Sequence, residues 1–347
     1  MRRLTYAAAL REALDQAMAR DDGVFVFGEG VDDPGGIFGS TQGLAEKHGA
    51  HRCFDTPLAE EALTGIANGA ALCGMRPVLV HARVEFALLT LDPILNHAAK
   101  WRDMYGEGNA MPIVVRTIIG RGWGQGAQHS QGLAPLFLNV PGVTVVAPVT
   151  PADAKGLLVG ALQHGDGPVI TIEHRQLYGD EGGVSAAFEA IPFGRARVAR
   201  EGGDVTIVAY SQMVHAAERA ATTLAERGIE ADVIDLRSLV PLDRETIVAS
   251  VTRTGRLVIV ENGWTLAGVS AEVAAIVAEE CPGALRAPIR RIGFPRIATP
   301  SSPVLEAAYY PGASTIVEAV ETMTNSGSAH AVNADSASRG RALSECW

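Results

Sequence analysis

Val24-Phe25-Val26-Phe27 is apolar at every position, and the runs Val78-Leu79-Val80, Ile113-Val114-Val115, Val143-Thr144-Val145-Val146 and Val169-Ile170-Thr171-Ile172 repeat that character. A strand with one wet face alternates apolar and polar residues; a strand without alternation must be covered on both faces. Helical patterns lie between these runs, as at 4–20, 90–105 and 151–164. This alternation of buried strands and helices predicts an α/β fold on a mainly parallel sheet. In such sheets the strand carboxyl ends share one edge, and ligands bind there.

Gly-rich, mixed-polarity sequence from 181 to 203 reads as a linker, and strand–helix alternation resumes after it. The expected organisation is a first domain over 1–180, a linker over 181–203 and a smaller α/β domain over 204–325. A low-complexity tail over 326–347 is expected to be disordered. A chain of 347 residues is long enough for two such cores. The net charge of −10 argues against a nucleic-acid partner. The four cysteines, Cys53, Cys73, Cys281 and Cys346, have no metal-ligand spacing and fit a reducing compartment. No apolar run approaches the ~20 residues that span a bilayer, and the N-terminus lacks a signal-peptide core. The expectation is a cytoplasmic protein with no membrane segment and no metal site of its own.

Candidate chemistry lies at strand ends. Gly28-Glu29-Gly30 follows the first apolar strand, and Asp55-Thr56-Pro57-Leu58-Ala59-Glu60 leads into the Ala/Gly-rich helix that begins at Glu60-Glu61. Phe86 follows the strand 76–80, and His129 follows the glycine-rich loop 120–126. Taken singly, each has a structural alternative: Glu29 and Glu60 as acids favoured at a helix N-terminus, His129 as a core histidine, Phe86 as core packing. Their joint placement at one sheet edge favours function. No GxGxxG or GxxxxGK[ST] loop is present. Gly165-Asp166-Gly167 is not followed by an Asn before Asn262, so it reads as a turn rather than a metal–diphosphate signature.

The series Gly28-Glu29, Asp55-Thr56-Pro57-x-x-Glu60, Ala98-Ala99-Lys100, Ala127-Gln128-His129-Ser130-Gln131 and Asp153-Ala154-Lys155-Gly156-Leu157-Leu158 resembles the beta subunit of the thiamine diphosphate-dependent decarboxylating component of 2-oxo acid dehydrogenase complexes. Asp235-Leu236-Arg237-Ser238-Leu239-x-Pro241-Leu242-Asp243 and Val260-Glu261-Asn262-Gly263 extend the resemblance through the second domain. Pyruvate, branched-chain and acetoin versions share the pattern. The resemblance implies a transketolase-like fold with a pyrimidine-binding domain. It implies thiamine diphosphate shared with an alpha subunit that holds Mg2+ and the diphosphate, in a heterotetramer that passes an acyl group to a lipoyl or acyl-carrier domain.

Residue by residue, the resemblance makes Glu60 the acid on the aminopyrimidine ring nitrogen and Phe86 the aromatic stacked on that ring. Glu29 becomes an acid close to the cofactor, Leu58 part of the cofactor-facing turn, and His129 the active-site histidine of reductive transfer to the lipoyl group or of intermediate stabilisation. Arg83, Arg121 and Arg175 depart from the family's usual residues. They pair on a surface or form a pocket for an anionic substrate, since guanidinium binds oxyanions in a bidentate way. The arginines motivate one alternative, half of a split transketolase-like ketol transferase acting on a ketose phosphate. A non-catalytic binding subunit is the other. Gly65, Gly69 and Cys73, four residues apart, give the helix after Glu60 a flat face that another helix can approach closely, by internal packing or, as the resemblance implies and we favour, at a subunit interface.

Overall fold

The computed structural model describes residues 1–326; the tail expected at 326–347 lies, past Ser326, outside the described residues. The elements in order are β1 (Arg2–Thr5), α1 (Tyr6–Met18), β2 (Val24–Phe27), α2 (Leu44–His48), β3 (Cys53–Phe54), α3 (Glu60–Leu72), β4 (Arg76–His81), α4 (Trp101–Tyr105), β5 (Val114–Ile119), β6 (Thr144–Val146), α5 (Pro151–Gln163), β7 (Val169–His174) and β8 (Glu181–Val184). They continue through β9 (Arg197–Arg200), β10 (Val205–Ala209), α6 (Met213–Ala225), β11 (Ala231–Asp235), β12 (Ser238–Val240), α7 (Arg244–Thr254), β13 (Leu257–Trp264), α8 (Val269–Glu280), β14 (Arg290–Phe294), α9 (Pro303–Tyr309) and α10 (Ala313–Ser326).

Seven strands form the first sheet, in the order β12-β6-β7-β5-β4-β2-β3. All its neighbours run parallel except β12 against β6. Alternate side chains of each strand enter different cores. Phe25, Phe27, Leu79, Val115 and Ile119 pack with Leu63 and Ala67 of α3. Val24, Val26, Val78, Val80, Val114 and Ile118 pack with α1 and α5. That double coverage is why these strands carry no polar alternation. Thr5 caps α1 by accepting from the Ala8 amide at 3.1 Å, and Thr150 and Asp153 form a capping box on α5.

The second sheet runs β14-β13-β10-β11-β9, parallel except for β9. The two domains interlock: β12, from the C-terminal half, adds an edge strand to the first sheet. Gly132 touches the second domain so closely that a Cβ there would lie 1.9 Å from the Asn262 carbonyl.

Two expectations need correction. The stretch 181–203 is not a plain linker: β8 within it pairs with β1, and β9 joins the second sheet against β11. Both pairings are edge contacts of short strands, supplied by partners distant in sequence. The continuous helix expected over 90–105 is broken into a 3-10 turn over 86–90, a π-helical turn over 93–98 and α4. The Asn68 amide of α3 donates to the Pro93 carbonyl at 2.8 Å, and the Ala99 N–H reaches back five residues to Ile94. Tertiary capture of Pro93 thus widens the turn where local periodicity favours a straight helix.

Candidate active site

Gly28 ends β2 at φ 142°, and a Cβ there would sit 2.3 Å from the Val80 carbonyl of β4. Only glycine lets the chain turn this close to its neighbour strand and place Glu29 at the sheet's carboxyl edge. The Gly30 amide then donates to Asp55 Oδ1 at 2.7 Å, tying the end of β2 to the end of β3. Behind this tie Phe25, Phe27 and Phe54 stack with centroids 5.2 to 6.1 Å apart. Glu60, 9% exposed, is the first residue of α3, and Thr64 Oγ1 donates back to its carbonyl at 2.7 Å.

Glu29 stands close enough to Glu60 and Asp55 to feel their charges. Burial, then the charges of Glu60 and Asp55, push its carboxyl above the usual range. Thr56 Oγ1 beside them is buried with no partner among the described residues, while Leu58 is 78% exposed.

The second cluster lies on the turns after β4 and β5. Phe86 and His129 meet edge to face, with ring centroids 5.6 Å apart and planes at 76°. His129 Nδ1 lies 2.6 Å from the Gln128 carbonyl, which leaves Nε2 as the ring atom turned elsewhere. The two clusters adjoin because α3 packs directly on the 86–90 turn. Glu29, Glu60, Phe86 and His129 thus all stand at the carboxyl edge of the first sheet.

The arginines divide. Arg83 is buried; its guanidinium donates to the Gly120 carbonyl at 3.0 Å and to Gln125, so it braces the glycine loop. Arg121 donates to the Glu306 carbonyl of α9 at 3.1 Å and lies 4.3 Å from the Tyr310 ring. Arg175 is held by Phe38 at 4.2 Å and by Trp123 at 4.7 Å. Arg121 and Arg175, with His215 and Arg219, line an interdomain cavity of about 590 Å³.

Sequence patterns do not single out His81, Glu85 and His174, which also lie at these strand ends. Burial lowers His81 to about 4, and burial with the charges of Arg121 and Arg83 lowers His174 to about 3, so both are neutral at pH 7. Their signal is buried polar placement, which depends on the tertiary fold. Among the described residues no cluster of three His, Cys, Asp or Glu could hold a metal ion, and no helix is long and apolar enough to cross a membrane.

The family model described as the transketolase pyrimidine-binding domain matches residues 2–181, and that described as the transketolase C-terminal domain matches 194–316. The chain is 45% identical over 336 residues to the beta subunit of acetoin:2,6-dichlorophenolindophenol oxidoreductase of Cupriavidus necator, covering 94% of this chain and 99% of the relative. It is 43% identical to the pyruvate dehydrogenase E1 component subunit beta of Rickettsia felis (92% and 97% covered) and 41% identical to the 2-oxoisovalerate dehydrogenase subunit beta of Bacillus subtilis (87% and 93%). Among solved structures it is similar to a split-gene transketolase, an inactive beta4 tetramer, with TM-score 0.78 and 26% identity over 93% of this chain and 99% of that one. With its paired carboxyls at the sheet edge and this likeness along nearly its whole length, the chain belongs to the transketolase-like family of 2-oxo acid and acetoin dehydrogenase beta subunits.

Proposed function

We propose that this chain is the beta subunit of a thiamine diphosphate-dependent enzyme of the 2-oxo acid dehydrogenase type, and that it supplies the pyrimidine half of a site completed by an alpha subunit. The observation that carries this reading is the Glu29–Glu60 carboxyl pair at the head of α3, beside a helix face left open. The donor set fits an aminopyrimidine: a nearly buried acid for the ring nitrogen, a second acid raised by it, the orphaned Thr56 hydroxyl and the Phe86 ring as a flank. When bound, the cofactor supplies the carbon nucleophile that accepts the substrate's carbonyl carbon.

Glu60 holds the ring nitrogen and governs its proton. Glu29 keeps Glu60 in place, Phe86 excludes water from one side, and His129 offers Nε2 to the acyl-transfer step. The diphosphate and Mg2+ fall to the alpha subunit in a heterotetramer, and a lipoyl or other carrier domain takes the acyl group. The Arg121–Arg175 cavity recognises an anionic group of substrate or carrier, whereas Arg83 positions the loop between them. The higher sequence identity to dehydrogenase beta subunits, 41–45% against 26% for the split-gene transketolase, favours this over a ketose-phosphate transferase.

The test is to assemble the chain with its alpha partner and offer pyruvate, 2-oxoisovalerate, acetoin and ketose phosphates, with 2,6-dichlorophenolindophenol as electron acceptor. Turnover of one of the first three, lost by about a thousandfold or more in Glu60→Ala, is the expected result. Turnover of ketose phosphates alone, or full activity of Glu60→Ala, would overturn it.

A further inference from the structure

Arg175 is a cation without a counter-charge. Its guanidinium carbon lies 4.2 Å from the Phe38 ring centroid, 4.7 Å from Trp123 and 5.5 Å from Tyr178, so three aromatic rings fix its position. Nε is buried with no hydrogen-bond partner, and no acceptor or carboxylate among the described residues engages the rest of the group. Burial lowers both Arg175 and Arg116, but Glu173 more than restores Arg116 while no carboxylate restores Arg175. Aromatic faces orient a guanidinium and leave its in-plane N–H groups free, and those groups match oxyanions in a bidentate way.

The rest of the cavity wall has the same character. Trp123 has φ 55° between Gly122 at 137° and Gly124 at 70°, a conformation that a bulky side chain adopts at a cost, yet it is 74% exposed. The strained turn thus holds an aromatic ring at the cavity rather than in a core. From the second domain, Gln212, His215 and Arg219 recur at three- and four-residue spacing along the start of α6, so they share one helix face. Asp180, the one carboxylate in the lining, is already paired with His215 at 3.0 Å, and Glu218 takes the other imidazole nitrogen at 3.1 Å. Arg121, Arg175 and Arg219 leave the cavity with an excess of positive charge. Glu29, Glu60, Phe86 and His129 are not among its lining residues.

We propose that this cavity binds a small molecule carrying two or more anionic oxygens, a phosphate ester or a dicarboxylate, with Arg175 as its fixed fork and Arg219 reaching it from the second domain. The proposal rests on reading the cavity as an anion site but not on the chemistry at Glu60, so binding needs neither cofactor nor alpha subunit. A volume of about 590 Å³ has room for more than the anionic group, and the exposed Trp123 ring offers the organic part a surface.

The test is calorimetric titration of the full chain with inorganic phosphate, succinate and acetate, each in chloride buffer of matched ionic strength. Phosphate or succinate is expected to bind and, at about tenfold excess over Kd, to raise Tm by about 2–5 °C. The one that binds tighter tells a phosphate ester from a dicarboxylate, and acetate, with one charge, is expected to bind at least about tenfold more weakly. Arg175→Gln should weaken binding about tenfold or more and Arg219→Gln about fivefold, with Arg175→Lys, which keeps the charge without the fork, between the parent and Arg175→Gln. Arg290→Gln, an exposed position on β14, serves as the control and should bind like the parent. The Tm of each variant in chloride shows that it is folded. No binding of either dianion, acetate binding as tightly as both, or parent-like binding in folded Arg175→Gln overturns the proposal. Glu60→Ala is expected to bind the probe like the parent, so failure of this proposal and failure of the thiamine-type reading are seen separately.

Discussion

Replacing Glu173 by Gln tests the most heavily committed buried charge in the first domain. Arg116 on β5 and Glu173 on β7 are both fully buried. Arg116 Nε and Nη2 donate to the two carboxylate oxygens at 2.7 and 2.8 Å, and Nη2 also reaches Ser40 Oγ at 2.8 Å. Thr171 and Tyr178 donate to the same carboxylate. Burial works against the Arg116 charge, and Glu173 more than offsets it, holding the guanidinium above its ordinary range. Glutamine keeps the shape but offers one neutral acceptor to four donors, so Arg116 becomes a buried cation without a counter-charge. Removing one partner of such a pair costs about 3–5 kcal/mol. The retained amide oxygen puts the expectation near ~3 kcal/mol, or about 6–12 °C in Tm for a domain of this size. Urea and thermal unfolding, followed by circular dichroism, measure it in Glu173→Gln, Arg116→Met and the double variant. The double variant is expected to lose less than the sum of the singles by ~2 kcal/mol. A loss below ~1 kcal/mol in Glu173→Gln, or strict additivity, would refute the reasoning.

Glu29 has a carboxyl raised by burial and by Glu60 and Asp55, so the folded chain binds this proton more tightly than the unfolded chain, and stability falls as pH rises above the ordinary carboxylate range. Glu29→Gln is therefore expected to raise the chain's Tm slightly at pH 7 while lowering activity of the assembled enzyme; a lower Tm contradicts the charge-crowding argument. Asp235 is raised to about 7 by burial and by the Asp153 charge, against the pull of Arg197 and Arg237. Stability of the parent should fall between pH 5 and pH 8 relative to Asp235→Asn, and parallel pH profiles would contradict this. Gly132→Ala forces a Cβ to within 1.9 Å of the Asn262 carbonyl and 2.8 Å of Gly263 Cα, so Tm is expected to drop by several degrees. Gly165→Ala, where nothing lies within 4 Å of the added Cβ, serves as its control.

What sequence made legible follows from burial. The core strands β2, β4, β5 and β7 advertise themselves because both faces are covered; β2 matches its expected span and the other three differ from theirs only at the ends. The strands β1, β8, β9 and β12 do not. Arg2-Arg3 and Gly182-Gly183 have weak strand character, and β12 has three residues whose partner β6 lies in the other domain. The placement of Glu29, Glu60, Phe86 and His129 at one sheet edge was legible because strand-end position is itself a signal in parallel sheets. The burial of His81 and His174 was not, because it is a property of the packed molecule. Arg83, Arg121 and Arg175 look alike in sequence, yet one braces a loop, one spans to α9 and one sits among aromatic rings.

On the proposed reading, the helix α3 joins assembly to chemistry. Its inner face, Leu63, Thr64, Ala67, Asn68 and Ala71, is buried, and the Asn68–Pro93 hydrogen bond locks the helix to the widened turn that leads back to Phe86. Its outer face, Ala62, Gly65, Ile66, Gly69, Leu72 and Cys73, is exposed, with Ile66 at 60%. Among the described residues nothing lies within 4 Å of a Cβ added at Gly65 or Gly69. An apolar helix face of this kind is stable in water only at a cost of about 25 cal/mol per Å2 left uncovered. On the proposed reading the alpha subunit removes that cost and, by the same contact, walls the cofactor against Glu60. Cofactor binding then stabilises the assembled form alone, by RT ln(1 + [L]/Kd), which reaches about 2.7 kcal/mol at a hundredfold excess over Kd. On that reading, the buried inner face and the open outer face of one helix are the reason that a half-site can be ordered and still depend on a partner.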